Sequence, residues 1–381
     1  MPLRVAVDAT PLVGSRTGVG AFVAGMLPAL ARRSDVDLVA YGLTWQGRAE
    51  LPSMLPPEVP LARPPMPAGA LLRAWARADA PAVEWWTGRL DVVHGTNFVV
   101  PPSRRGGAVV TVHDLTAIRF PELCTPTSLA YPGLVRRAMA RGAWIHTPSE
   151  FVRGEVIDLL HADPDRVRAI AHGVTPAMPP PASLAPGTAS ADPNEGKRYV
   201  LSLGTAEPRK DLPGLVRAFD AIAGARPEVH LVIAGPRGWG EADLVAAITA
   251  SPFRTRITRL GWVDDIRRRN LIGGAAVLAY PSIYEGFGFP PLEAMAAGVP
   301  VVTTRAGAVP ETVGDAARLV DAGDVDALAA ALAAALDEDG DALSSTVARG
   351  RAHAARFTWE ACAGGLVALY ESVAAVAPHR R

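Results

Sequence analysis

Only two cysteines, Cys124 and Cys362, occur in 381 residues, and they lie far apart in the chain. That scarcity excludes a disulfide framework and the close ligand spacing of a zinc site, and makes a reducing cytoplasm the expected compartment. Neither sign of charge is in excess, because 38 basic residues face 38 acidic ones. Such balance removes the attraction on which nonspecific nucleic-acid binding depends, so nucleic acid is not an expected partner. No apolar run reaches the ~18 residues that a membrane-crossing helix needs. The chain also enters Leu3-Arg4-Val5-Ala6-Val7-Asp8 without a charged-then-apolar leader. A protein that neither spans a membrane nor carries an export signal is expected. Lysine is nearly absent as well: Lys197 and Lys210 are the only two, which an arginine-favouring codon bias largely explains.

What is present is ample apolar material, 49% hydrophobic against 20% charged residues, enough for two folded cores at about 150 residues per domain. The stretch from Thr175 to Lys197 holds six prolines among small and polar residues and defeats both helix and strand. It divides the chain into a first domain over 1–174, a linker over 175–197 and a second domain over 198–357. A last helix falls in 358–381; periodicity leaves open which domain it packs on.

In the first domain, apolar β-branched runs at Leu3–Val7, Val36–Tyr41, Val92–His94, Val109–Val112 and Trp144–Thr147 read as buried strands. Helical patterns at Ala21–Arg33 and Leu129–Arg141 alternate with them. After the linker, strands at Tyr199–Leu203, His230–Ala234, Ile257–Leu260, Ala276–Ala279, Val299–Thr303 and Ala317–Val320 alternate with helices at Leu212–Ala225, Glu241–Ala250, Pro291–Ala297 and Asp324–Asp337. Alternating β and α predicts parallel sheets covered on both faces: an α/β protein of two doubly wound, Rossmann-like domains facing a cleft. Ligands of such sheets bind outside the carboxyl ends of the strands.

The densest chemical signal is YEGFGFPPLEAMAAGVPVV, from Tyr284 to Val302. A carboxylate, Glu285, precedes a turn with Gly286 and Gly288; Pro290, Pro291 and Glu293 then open an Ala-rich helix. Glycine lets backbone approach a ligand closely, and a helix start offers N–H groups to phosphate or sugar oxygens. Taken alone, Glu293 could simply favour the helix macrodipole.

This segment resembles glycosyltransferase family 4, retaining nucleotide-sugar glycosyltransferases of the GT-B fold, whose signature is two glutamates separated by seven residues. Glu285 and Glu293 have that separation, inside the frame E-G-F-G-x-P-x-L-E-A-M-A-x-G-x-P-V-V. The resemblance covers most of the chain and is weakest between about Gly42 and Leu90. It implies that Glu293 holds the ribose hydroxyls of the donor nucleotide, a task suited to an acceptor-only carboxylate. It implies further that Glu285 contacts the donor hexose, and that backbone N–H groups of Phe287, Gly288 and Phe289 bind sugar hydroxyls or phosphate.

A second signal, Gly204-Thr205-Ala206-Glu207-Pro208-Arg209-Lys210-Asp211, directly follows the strand at Tyr199–Leu203. Two adjacent cations at a strand's carboxyl end suit a departing diphosphate, although a solvated surface pair would read the same way. Many family members carry an arginine immediately after the glycine and a lysine five residues later. Lys210 takes the lysine position, Thr205 replaces the arginine, and Arg209 is the expected substitute. The E-P-R-K-D wording resembles a subgroup rich in polysaccharide mannosyltransferases, which implies GDP-mannose as donor.

Val109-Val110-Thr111-Val112-His113-Asp114 places a histidine at the end of a buried strand. It reads as a core histidine, or, by resemblance to the family's T-x-H-D context, as a donor-sugar contact oriented by Asp114. The loop GSRTGVG, Gly14 to Gly20, could be only a tight turn; the resemblance puts the loop around Gly18 beside the donor diphosphate and the acceptor. His172-Gly173-Val174 resembles the family's N-G-V segment. The pairs Asp35/Asp37, Asp163/Asp165 and Asp324/Asp326 have D-x-D spacing, but they read as a strand flank and helix caps rather than metal ligands. Trp75, Trp85 and Trp86 with Arg73, Arg77 and Arg89 read either as ordinary core tryptophans or as a patch for a membrane surface or lipid-linked acceptor.

Together these readings predict a metal-independent retaining hexosyltransferase with no resident cofactor, whose substrates are a nucleotide-sugar and a glycan or lipid-linked hydroxyl. A peripheral contact at the inner face of a membrane stays open. A sugar-nucleotide epimerase of the same architecture, or a non-catalytic binding subunit, would share the fold.

Overall fold

The computed structural model describes residues 1–14, 18–44, 47, 49–63, 68–75, 77–175 and 196–377. Most of the Pro-rich linker, 176–195, and residues 15–17 of the glycine loop therefore lie outside the described residues. The chain divides into two compact units, Met1–Gly173 with Phe357–Arg381, and Val174–Arg356.

The first unit is built on seven parallel strands: β1 (Leu3–Asp8), β2 (Val36–Tyr41), β3 (Leu61–Ala62), β4 (Val92–Gly95), β5 (Gly107–Thr111), β6 (Trp144–Thr147) and β7 (Val167–Ala169). Their order is β3-β2-β1-β4-β5-β6-β7, so the winding reverses between β1 and β4. Sequence periodicity locates five of these strands and misses β3 and β7, which are too short to leave an alternating pattern. The last helix, Trp359–Val376, belongs to this unit. Glycines make room for it: a Cβ on Gly25 would fall 2.0 Å from the Trp359 ring, and one on Gly107 would fall 2.2 Å from Val373. The Tyr370 hydroxyl of that helix also lies 2.7 Å from Nδ1 of His94, on β4.

The second unit repeats the design with β8 (Arg198–Leu203), β9 (Val229–Ala234), β10 (Ile257–Gly261), β11 (Val277–Tyr280), β12 (Val301–Thr304) and β13 (Arg318–Val320). All pairings are parallel, in the order β10-β9-β8-β11-β12-β13. On one face Leu215 and Phe219 of helix Leu212–Ala223 and Leu332 of helix Val325–Leu336 pack with Val200, Leu231 and Val277 of the strands. Each side chain fully buried in this way contributes about 1.5–3 kcal/mol. Helix Phe289–Ala297 buries Leu292 and Met295 and packs against helix Gly340–Ala354. The reversal between β8 and β11 opens the point at which doubly wound sheets receive ligands. Both loops singled out by sequence, 204–211 after β8 and 281–288 after β11, leave the sheet there. Both cysteines are free.

Candidate active site

In the second unit the two loops are tied directly together, for the Ile283 N–H donates to the Arg209 carbonyl at 2.8 Å. The first loop closes as a short 3-10 turn, Pro208–Lys210. It ends on Asp211, whose left-handed backbone (φ 43°) and side chain, accepting from the Gly214 N–H at 3.1 Å, start helix Leu212–Ala223. That turn sends Lys210 inward, where it is only 8% exposed. Its Nζ donates to the Tyr280 hydroxyl at 2.5 Å and to Oε1 of Glu285. The ammonium also stands over the Tyr280 ring, 4.4 Å from its centre.

Glu285 is buried, and its second oxygen, Oε2, lies 2.8 Å from Nη1 of Arg209. Arg209 itself is gripped on another edge by Oε2 of Glu207 at 2.7 Å and donates to the Tyr284 carbonyl at 3.2 Å. Burial alone would raise the Glu285 carboxyl; the Arg209 and Lys210 charges outweigh it and bring the pKa down to about 2. The site thus holds one ionised carboxylate between two fixed cations, with backbone carbonyls and a tyrosine completing the network. Gly307 permits this arrangement: a Cβ there would fall 2.3 Å from the Glu285 carbonyl, which instead accepts from the Ala308 N–H at 2.8 Å.

Gly288, with φ 105°, starts helix Phe289–Ala297, and Gly298, with φ 81°, ends it. Pro290 and Pro291 occupy its first turn and carry no N–H, so backbone donation at this helix start falls to residues before them. The Phe287 and Phe289 rings meet edge to face, 5.2 Å between centres, which fixes the turn. One helical turn further, Glu293 meets Arg268 of the neighbouring helix Asp265–Gly273, whose Nε lies 3.1 Å from Oε2 and whose Nη2 contacts the same oxygen.

His113 lies just past the carboxyl end of β5 in the first unit, its Nε2 2.8 Å from the Thr96 carbonyl. That contact fixes the proton on Nε2, whereas the Asp114 Oδ1 turns to the residue two positions on, accepting from the Thr116 N–H at 3.0 Å and from the Thr116 hydroxyl. The expected orienting role of Asp114 is therefore corrected: the backbone of Thr96 holds the ring. Burial lowers the His113 pKa. Phe22 packs against this ring and two further histidines, with centres 5.7 Å from His113, 5.5 Å from His146 and 4.2 Å from His172. Gly18 opens helix Gly18–Ala31 at the carboxyl side of β1.

Family models agree with this two-part geometry. Residues 16–177 match the model described as Glycosyltransferase Family 4, and residues 188–353 match Glycosyl transferases group 1. The O-antigen chain mannosyltransferase B of Escherichia coli is 34% identical over 284 residues, 74% of this chain and 74% of that protein. The chain belongs to glycosyltransferase family 4.

Among other relatives of this glycosyltransferase, the MMP alpha-(1->4)-mannosyltransferase of Mycolicibacterium hassiacum is 34% identical over 197 residues, 48% of this chain and 46% of that one. In fold, the glycosyltransferase is similar to sucrose-phosphate synthase from Thermosynechococcus elongatus, with a TM-score of 0.74 at 19% identity, covering 98% of this chain and 100% of that one. Anabaena HepE in complex with UDP and glucose gives a TM-score of 0.71 at 17% identity, over 97% and 100% of the two chains. These likenesses place the enzyme in the GT-B fold class.

Several partners in the glycosyltransferase were not singled out from sequence. Tyr280 ends a buried strand one residue beyond the predicted Ala276–Ala279, Glu207 stands in the loop motif without an assigned role, and Arg268 is one of three consecutive arginines. Asp8, at the carboxyl end of β1, is 3% exposed, and burial raises its pKa to about 6 although Thr10 hydrogen-bonds it. A carboxylate closing a strand was the available signal. The tryptophans separate: Trp75 is 3% exposed and donates to the Pro81 carbonyl, while Trp85 is 62% exposed beneath Arg104. Asp163 and Asp324 act as helix caps, and Asp35 and Asp37 pair with Arg33 and Arg4. No helix among the described residues is long and apolar enough to cross a membrane.

Proposed function

We propose that this glycosyltransferase transfers mannose from GDP-mannose to a hydroxyl of a glycan or lipid-linked acceptor, with retention of configuration and without a metal. The observation that carries the reading is the ion-paired set of Arg209 and the buried Lys210 and Glu285 where the second unit's winding reverses. Departure of the nucleoside diphosphate leaves positive charge on the sugar ring and negative charge on the leaving phosphate. Arg209 and Lys210 stabilise the phosphate, Glu285 holds the sugar near its reacting carbon, and Glu293 takes the ribose hydroxyls. Backbone groups of Phe287, Gly288 and Phe289 meet sugar or phosphate oxygens. Considered by itself, the first unit offers His113 and the start of helix Gly18–Ala31, which the family resemblance assigns to sugar and phosphate oxygens.

Mannose is favoured by the relatives' activities: the E. coli and M. hassiacum proteins are mannosyltransferases, as is the phosphatidyl-myo-inositol mannosyltransferase of Mycolicibacterium smegmatis, 35% identical over 185 residues. The test is a mass-spectrometric screen of nucleotide-sugars for slow hydrolysis, followed by trials of hydroxyl acceptors. GDP-mannose should be consumed first. Preference for UDP-glucose, the nucleotide and sugar bound to Anabaena HepE, would reject the mannosyl reading while keeping the transferase. Interconversion of nucleotide-sugars without an acceptor would reject transfer.

A further inference from the structure

Arg268 spends two donors, Nε and Nη2, on the same oxygen of Glu293, Oε2, and leaves Oε1 outside the ion pair. Both residues are partly exposed, with side chains 30% and 23% accessible, so the pair can be reached from solvent. The two side chains come from different helices. Arg268 stands in the first turn of helix Asp265–Gly273, fixed by the Asp264 cap, whose Oδ1 accepts from the Arg267 N–H at 2.7 Å. Glu293 stands one turn into helix Phe289–Ala297.

A glutamate has three rotatable side-chain bonds, and a carboxylate that must meet a pair of vicinal hydroxyls loses affinity if it wanders. Two converging donors on one oxygen remove most of that freedom and turn the other oxygen to a defined direction. We propose that Arg268 is a positioning residue: it locks Glu293 so that Oε1 is presented to the ribose hydroxyls of the donor nucleotide. This rests on the assignment of Glu293 to the ribose.

The consequence is specific. Because Arg268 acts through Glu293 on the hydroxyls, its removal should weaken a ribonucleotide and leave a nucleotide lacking those hydroxyls untouched. Loss of a stabilising contact elsewhere in the fold would weaken both equally. The decisive measurement is calorimetric binding of GDP and of 2′,3′-dideoxy-GDP to wild type, Arg268→Gln, Arg268→Lys and Glu293→Ala. Arg268→Gln should weaken GDP by roughly two- to fivefold, the scale of one partly exposed charged contact. Binding of the dideoxy nucleotide should be unchanged, and Arg268→Lys should recover part of the loss by returning one donor. The double variant Arg268→Gln/Glu293→Ala should bind GDP no more weakly than Glu293→Ala alone.

If Glu293→Ala binds GDP like wild type, the ribose assignment falls and the positioning role falls with it; if wild type takes UDP in place of GDP, the same series is read with UDP and 2′,3′-dideoxy-UDP. If Glu293→Ala weakens GDP but Arg268→Gln does not, the ribose assignment stands and the positioning role is overturned. Equal weakening of GDP and its dideoxy analogue in Arg268→Gln also overturns it, because Arg268 would then be touching another part of the nucleotide or supporting the fold.

Discussion

Nη1 of Arg209 stands 2.8 Å from Oε2 of Glu285, so the arginine proposed to receive the leaving phosphate is already held by a carboxylate. Glu207 takes its Nε at 2.7 Å, and Lys210 takes the other oxygen of Glu285. Two cations and two carboxylates share one largely buried patch, and their formal charges cancel. Such a network holds both cations in place before any phosphate arrives. Its positive charge is nonetheless spent on carboxylates, so diphosphate binding requires Arg209 or Lys210 to redirect donors from Glu285 or Glu207.

Substitution of the two cations tests that sharing. Arg209→Ala and Lys210→Ala should each lower kcat/KM by an amount equivalent to about 2–4 kcal/mol, the scale of a lost oxyanion donor. The double variant should lose much less than the sum, because both residues serve one phosphate charge and one carboxylate. Steady-state kinetics on the three variants checks this. An Arg209→Ala enzyme near wild type would leave Lys210 and backbone amides as the sufficient phosphate site.

The two glutamates of the motif should separate by what they damage. Glu285→Ala leaves buried Lys210 without its carboxylate, while Arg209 keeps Glu207, and should cost roughly 3 kcal/mol of stability, whereas Glu285→Gln keeps an acceptor and costs less. Both should lower turnover without weakening affinity for free GDP, because Glu285 competes with the diphosphate for Arg209 and Lys210. Glu293→Ala should weaken GDP, since a ribose contact exists in ground and transition states alike. Denaturant titration, calorimetry and turnover assays read the three effects apart. Wild-type turnover in Glu285→Gln would remove Glu285 from the sugar.

Metal removal should have no effect on activity. On the proposed mechanism Arg209 and Lys210, once their donors turn from Glu285 and Glu207 to the diphosphate, supply the positive charge that a divalent ion would bring. An assay with the natural acceptor in excess EDTA, compared with added magnesium or manganese, settles the point. Activity abolished by EDTA and restored by either ion would replace this mechanism with a metal-dependent one.

Much of this was legible in the sequence, and the remainder divides by cause. Lys210, Glu285 and Glu293 sit in dense motifs, and most strands announced themselves because buried parallel strands are continuous apolar runs. Arg268 could not be picked from Arg267-Arg268-Arg269, because only the packing of two helices decides which arginine meets Glu293. Tyr280 closes a hydrophobic strand, and no pattern along the chain distinguishes a tyrosine that packs from one that also hydrogen-bonds a lysine 70 residues away in sequence. Asp114 was misjudged for a related reason: adjacency to His113 suggested a partner, but a strand end turns neighbouring side chains in different directions, and Thr116 was better placed.

The histidines of the first unit predict an acid-sensitive domain. Burial holds His146 down to about 4 and pushes His94 and His172 well below the ordinary histidine range, with His113 lowered as well. Each is therefore neutral in the folded unit and protonates first in the unfolded chain. The stability they contribute is complete above the unfolded pKa near 6.5 and is lost as pH falls toward the folded values. For His146 alone the shift corresponds to a loss on the order of 3 kcal/mol. Asp8 works in the opposite sense, because its raised pKa of about 6 makes the fold take up a proton that the unfolded chain refuses until near 3.8. Four histidines against one aspartate leave a net loss on acidification. In the second unit burial lowers a single histidine, His230, and raises Asp211, while Glu285 keeps its charge down to about 2, so the loss on acidification is smaller there. Hydrogen exchange read by mass spectrometry at pH 7.5 and pH 5.0, corrected for intrinsic rates, separates the units. Peptides from β4, β5 and β6 should lose protection at the lower pH well before those from β8 and β11. Equal protection of the first unit at both values would show that the histidine network tolerates protonation and that burial does not set its titration.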